Sequence, residues 1–412
     1  MKNKYCFMIL LSLIFLFFLA PALYAQSGRI CGVIHTRDGE TYEGPIRWDK
    51  NEACWDDVLN ATKERENARR SEGHGERHIQ IFGLHIIGLH ISWDGDKTEG
   101  RSSSGIQFGY LKSLERKTGS RAVLELKNGD RVTFYGGGTD IGSGIREIMV
   151  DDPVQGEVWM DWDDLDWVEF KECDPDMMKK PETRLYGTVE TRRGDVFKGF
   201  ITWDVDELFY SDVLDGEEKD HTRKIQFGKI KSIERRSSSS AWVTLRNGDR
   251  MKLSGTNDVD SGNRGIMVHD PDYGWVTVDW DDFDRMEILD EGDKHPVRYD
   301  QFPEIKPLLG VVYDEDGKRY EGKIRWDNDE TESWEILDGE YKDMDIDVEF
   351  SQIAQIEKVS SRSAKVTLKN GNSFKLSGSN DVNDENKGIY VTNKDGDEIQ
   401  LDWEDFDRAE FK

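Results

Sequence analysis

The stretch LSGTNDVDSGNRGIMV, Leu253 to Val268, returns as LSGSNDVNDENKGIYV at Leu376 to Val391. A degraded copy, FYGGGTDIGSGIREIMV, runs from Phe134 to Val150. Internal repetition of this kind constrains the fold more than any bulk property, because each recurrence must rebuild the same local elements. Further strings fall into step with it. IRWD at Ile46 matches ITWD at Ile201 and IRWD at Ile324, and KNGD at Lys127 matches RNGD at Arg246 and KNGN at Lys369. DWDDLD at Asp161, DWDDFD at Asp279 and DWEDFD at Asp402 close the units. The spacing predicts a leader over 1–25, repeats over 26–171, 184–289 and 307–412, and linkers over 172–183 and 290–306. Both linkers are charged and carry the prolines common between domains.

A shorter period lies inside each unit. Gly194 of RRGD matches Gly248 of RNGD, and Phe227-x-x-Ile230-x-x-Ile233 matches Trp280-x-x-Phe283-x-x-Met286, so each unit reads as two similar halves. Within a half, alternating apolar residues such as Val243 and Leu245 lead into Asn247-Gly248, a strong hairpin signal. More alternating segments follow, then DDFDR, whose length suits one 3₁₀ turn before a last strand. No stretch after the leader keeps a helical period over three turns. The expectation is an all-β chain with five short strands per half. That order resembles small Sm-like and Src-homology-3-like barrels in pattern alone, which implies six small barrels arranged as three pairs. A six-bladed β-propeller built from the same halves is the alternative.

Charge and cysteine bound the function. Lys2 and Lys4, the apolar run from Cys6 to Ala20 and the small residue Ala25 read as a secretory signal peptide, and nothing after it is apolar enough to span a membrane. The formal net charge of −28 becomes more negative when the two leader lysines are removed, which disfavours nucleic acid and anionic lipid as partners. Cys31, Cys54 and Cys173 remain, enough for one disulfide and one thiol in an oxidising compartment, with the pairing open. The expected location is secreted or periplasmic.

Three groups of residues carry chemical candidates. In the repeated loop, Asp258, Asp260 and Asn263, with Asp381 and Asn386 in the third unit, place oxygens at alternate positions beside glycine, as calcium sites do. The competing reading is that these Asx side chains bind nearby backbone N–H groups and shape a wide turn. Drift of the charges between copies favours the turn, so no cofactor is expected and calcium is the alternative. The acids of DWDDFD crowd together, yet their fixed placement at a strand end favours capping over acid–base work. Trp48, Trp203 and Trp326 read as core residues.

The first unit carries an insertion at about 62–104 containing the twice-written GLHI, with Phe82, His85, His90 and Trp93 as candidate partner-binding residues. No nucleophile elbow, phosphate loop or HExxH string is present. The expected function is therefore that of a non-enzymatic β-repeat protein, an interaction or scaffold module whose partner is an unknown protein or glycan of the cell envelope. A calcium- or carbohydrate-binding module is the alternative, and a carboxylate-based hydrolase a distant one.

Overall fold

The computed structural model describes residues 28–64, 84–86, 89–91, 101–136, 140–174, 177, 182–219, 221–290 and 297–412. Residues 1–27, which include the expected leader, and most of the expected insertion lie outside the described residues. The fold is all-β, built of large antiparallel sheets, and no helix is long and apolar enough to cross a membrane.

Segment one contains β1 (Cys31–Thr36), β2 (Thr41–Trp48), β3 (Val58–Glu64), β4 (Leu84–Ile86), β5 (Leu89–Ile91), β6 (Arg101–Gln107), β7 (Leu111–Thr118), β8 (Arg121–Leu126), β9 (Arg131–Tyr135), β10 (Ile148–Asp152), β11 (Gly156–Met160) and β12 (Leu165–Phe170). Segment two contains β13 (Tyr186–Thr191), β14 (Val196–Thr202), β15 (Val213–Glu218), β16 (His221–Gln226), β17 (Ile230–Ser237), β18 (Ser240–Leu245), β19 (Arg250–Ser254), β20 (Ile266–Asp270), β21 (Gly274–Val278) and β22 (Phe283–Ile288). Segment three contains β23 (Leu309–Asp314), β24 (Arg319–Arg325), β25 (Ile336–Tyr341), β26 (Met344–Glu349), β27 (Ile353–Ser360), β28 (Ser363–Leu368), β29 (Ser373–Ser377), β30 (Ile389–Thr392), β31 (Glu398–Leu401) and β32 (Phe406–Phe411).

The pairing corrects the barrel expectation. In segment two the strands run β21-β20-β14-β13-β22-β17-β18-β19-β15-β16, one open ten-stranded order. Segment one repeats it as β11-β10-β2-β1-β12-β7-β8-β9-β3-β6. Segment three repeats it from β31 to β26. The two halves exchange partners: β13 pairs with β22 and β14 with β20, while β18 pairs with β17 and β19 with β15. No half closes on itself, so neither separate five-stranded barrels nor propeller blades form. A period-2 pattern fixes which face of a strand is buried and leaves its neighbour unspecified.

Glycine permits this exchange where strands cross closely. A Cβ on Gly199 of β14 would lie 1.9 Å from the His269 carbonyl oxygen, and Gly44 and Gly322 meet the Asp151 and Thr392 carbonyls at 2.2 and 2.0 Å. The 3₁₀ turn also falls elsewhere than expected. It precedes the last strand of each first half, at Phe108–Tyr110, Phe227–Lys229 and Phe350–Gln352, whereas Asp279 to Asp282 forms a tight turn in which Phe283 N–H donates to the Asp279 carbonyl.

Segments two and three share one core and a continuous sheet through β21 and β26. Segment one has its own core, which takes in Ile305 and Trp334 from beyond its boundary. The second linker is thus no free spacer from 297 onward. Cys31 and Cys173 form a disulfide with Cα atoms 5.2 Å apart, tying the first linker to β1, and Cys54 stays a buried thiol.

Candidate functional site

The repeated loop is gripped by the Trp-Asp strings. After β2, β14 and β24 the chain turns through two consecutive left-handed residues, Asp49-Lys50, Asp204-Val205 and Asp327-Asn328, a hairpin signature. Each Trp then bridges back to a glutamate, Glu52, Glu207 or Glu330. The indoles are fully buried, and each donates its ring N–H to a backbone carbonyl of the repeated loop: Trp48 to Asp140 at 2.9 Å, Trp203 to Asp258 at 3.0 Å, Trp326 to Asp381 at 2.9 Å. They pack edge-on against Trp162, Trp280 and Trp403, so their role is in the core.

The buried acids complete the grip. Asp204 accepts the backbone N–H of Arg264 at 2.6 Å and the amide of Asn257, and Asp327 accepts the matching groups of Lys387 and Asn380. In return Asp258 accepts the N–H of Asp215 at 2.6 Å, and Asp381 that of Asp338 at 3.0 Å. Asp260 accepts from Gly262 at 2.8 Å, Asn263 from Gly265 at 3.1 Å and Asn386 from Gly388 at 3.0 Å. All five calcium candidates thus direct an oxygen to backbone N–H groups, the bonds of a wide Asx turn.

The carboxylates that do converge are others. Asp204, Asp206 and Glu207 offer oxygens within 4.8 Å of one another. Arg264 already pairs with Asp204 at 2.7 Å and also bonds Asp206, while Arg146 reaches Asp206 from segment one at 2.9 Å. Burial pushes Glu207 up to about 10, with Asp206 and Asp258 adding to it, and burial followed by Asp204 raises Asp258 to about 6. Arg264 and Arg146 thus set two guanidinium groups beside this cluster, and Arg146 also pairs with Asp49 at 3.3 Å.

The DWDDFD acids spread outward, where Asp281 pairs with Arg235 at 2.9 Å and Asp282 with Arg193 at 3.7 Å. Trp280 and Phe283 point into the core. In the insertion β4 and β5 form a hairpin in which His85 stands opposite His90, which matches the twice-written GLHI. Phe82 and Trp93 lie outside the described residues. The insertion springs from the β3–β6 hairpin, the counterpart of β15–β16.

Two features escaped the sequence reading. One is the junction between segments. Arg184, buried, holds Asp56 at 2.9 Å and Asp57 at 2.5 Å; Asp56 also meets His269 at 3.2 Å, and His269 stacks on Trp275. Against its burial, Arg184 and then His269 hold Asp56 down to about 2. A cavity of about 20 Å³ beside these groups has room for a single water. On the far side Lys63 bonds Glu335 and the Asp329 carbonyl, and Tyr110 donates to Glu349 at 2.7 Å.

The other is a cleft at the end of each segment, equivalent by its backbone bonds. Gly109 N–H donates to Trp55, Gly228 to Tyr210 and Ser351 to Ser333, at 2.8, 2.9 and 2.8 Å. In segment one the cleft holds the second linker. Tyr299 lies 4.4 Å from Trp55 with its hydroxyl on the Leu111 carbonyl at 2.7 Å, and Phe302 packs edge-on against Tyr110 over the bare Gly109. In segment two Tyr210 itself fills the space, its hydroxyl near the Leu289 carbonyl and Arg246. In segment three a cavity of about 190 Å³ remains, floored by Leu308, Phe350 and Phe411. The aromatic pair in RYDQF was the available signal, hidden by its charged, proline-bearing surroundings. Comparison with models of protein families and with curated proteins finds no match to this chain.

Proposed function

We propose that this chain is an exported, non-catalytic β-repeat protein that serves as an interaction scaffold of the cell envelope, built from three copies of one ten-stranded unit. The observation that carries the reading is the docked linker. A ten-stranded unit of this fold holds an aromatic segment, Tyr299 to Ile305, that begins with a 3₁₀ turn over Tyr299–Gln301, against its end as a peptide ligand would be held. Aromatic anchors seated in preformed pockets supply most of the energy of such contacts. Supporting features are the buried inter-segment ion pairs, which keep the units in fixed relation, and the Cys31–Cys173 bond, which suits an oxidising compartment.

The test is in-cell photo-crosslinking of the tagged full chain in its native host, followed by fractionation. The expected result is an exported chain joined to one or a few envelope proteins. A chain that is retained in the cytoplasm, or exported without any crosslinked protein, removes the reading.

A further inference from the structure

The three equivalent clefts differ in what fills them. An aromatic side chain from the linker occupies the first, an aromatic side chain of the unit itself the second, and none of the described residues fills the third. Sequence accounts for the difference. Position for position, Trp55 and Tyr210 give way to Ser333, and Gly109 and Gly228 to Ser351. The floor stays apolar, and Leu309 at the mouth is 41% exposed.

We infer that the cleft of segment three, floored by Leu308, Phe350 and Phe411 and rimmed by Lys306, Lys369 and Lys412, binds a peptide of a partner protein bearing an aromatic side chain beside an acidic residue. The inference rests on the scaffold reading and names its site. Size fits the assignment: an apolar cavity of about 150 Å³ accepts a benzene ring, and this one measures about 190 Å³. Recognition chemistry is displayed by the first cleft, where Lys127 bonds the Tyr299 carbonyl and sits 3.4 Å over its ring. Lys369 is the counterpart of Lys127, and its ammonium now lies 3.4 Å from the Lys412 carbonyl, within easy reach of an incoming chain. Charge selects the flank. On a chain of net charge −28, three lysines stand against one acid, Glu304, around this opening; Lys412 is shared with Glu321 at 2.7 Å, which leaves Lys306 and Lys369 to favour an acid-bearing peptide. Tyr299-Asp300-Gln301-Phe302, the segment in the first cleft, has that composition.

The experiment uses a fluorescein-labelled synthetic peptide copying residues 297–304, VRYDQFPE, titrated into the full chain and read by anisotropy. Saturable binding is expected, weakened about tenfold or more by Ser333→Tyr, which installs the second segment's own plug, and by Lys369→Glu at the rim. A peptide with Tyr and Phe changed to Ala should not bind. Absence of saturable binding to the unaltered chain overturns the inference. So does equal affinity in both variants, because the peptide then sits elsewhere, as in exchange with the linker on segment one. A concentration-dependent dimer that Ser333→Tyr abolishes assigns the cleft to a second copy and overturns the partner assignment. Envelope crosslinks that persist unchanged in Ser333→Tyr leave the scaffold reading standing while this site falls.

Discussion

At the scale of single residues, the repeated loop shows how one composition serves two chemistries. Asp, Asn and Gly at alternate positions describe a calcium loop and an Asx turn equally well, and the turn requires that the oxygens meet backbone N–H groups. Here they do, and the acids with the heaviest structural duty are those that follow tryptophan. Asp204 is fully buried and satisfies the Arg264 N–H and the Asn257 amide, whereas Asp260 sits at the half-buried rim with one short local bond. Asp204→Ala is expected to destabilise the chain by about 1–3 kcal/mol, because it strands the Arg264 N–H and the Asn257 amide and breaks the pair with the Arg264 guanidinium, while Asp260→Ala costs less than about 1 kcal/mol. Urea unfolding of both variants measures this, and comparable losses would contradict the assignment. Trp203 and Asp204 were legible as a recurring pair. Their carbonyl and amide partners were not, because those lie some fifty residues away in the other half.

Among the elements, the crossing of β14 and β20 is the point on which the exchange between halves turns. Gly199 is extended rather than left-handed there, so its requirement is space, since the His269 carbonyl occupies the place of a side chain. Gly199→Ala is expected to cost about 1–3 kcal/mol by forcing the strands apart. By contrast Gly194→Ala, at a turn with nothing nearby and φ of +85°, costs only the strain of its backbone, about 1 kcal/mol. Hydrogen exchange should show faster exchange in β14 and β20 for Gly199→Ala alone; unaltered protection would argue against the close crossing. All-β character followed from alternation. The partner of each strand did not, since β13 and β18 carry similar patterns yet pair across the halves.

For the whole molecule, the interfaces between segments are charged and buried, and one carboxyl there is expected to make stability depend on pH. Burial pushes the Glu349 carboxyl up to about 7, against the bonds it accepts from Ser351 and Tyr110. The unfolded side chain titrates near 4.5. Between those values the folded chain keeps a proton that the unfolded chain has released, so stability falls as pH rises from about 4.5 to about 7 and stays lower above. Glu349→Gln removes this contribution. Urea midpoints compared at pH 5 and pH 8 should drop less in the variant than in the unaltered chain, and an identical drop in both would dismiss Glu349 as a source.

The sequence alone determined the all-β class and the tryptophans of the core. These depend on local periodicity and turn chemistry, which each stretch carries within itself. Tertiary structure decided the exchange of strands between halves, the choice of Cys31 with Cys173 over Cys54, the docking of Tyr299 and Phe302 on segment one and the cleft of segment three, which none of the described residues fills. Each of these is a pairing between distant surfaces. An alternating strand, a thiol or an aromatic ring in a linker has several chemically acceptable partners, and only close packing in three dimensions selects one.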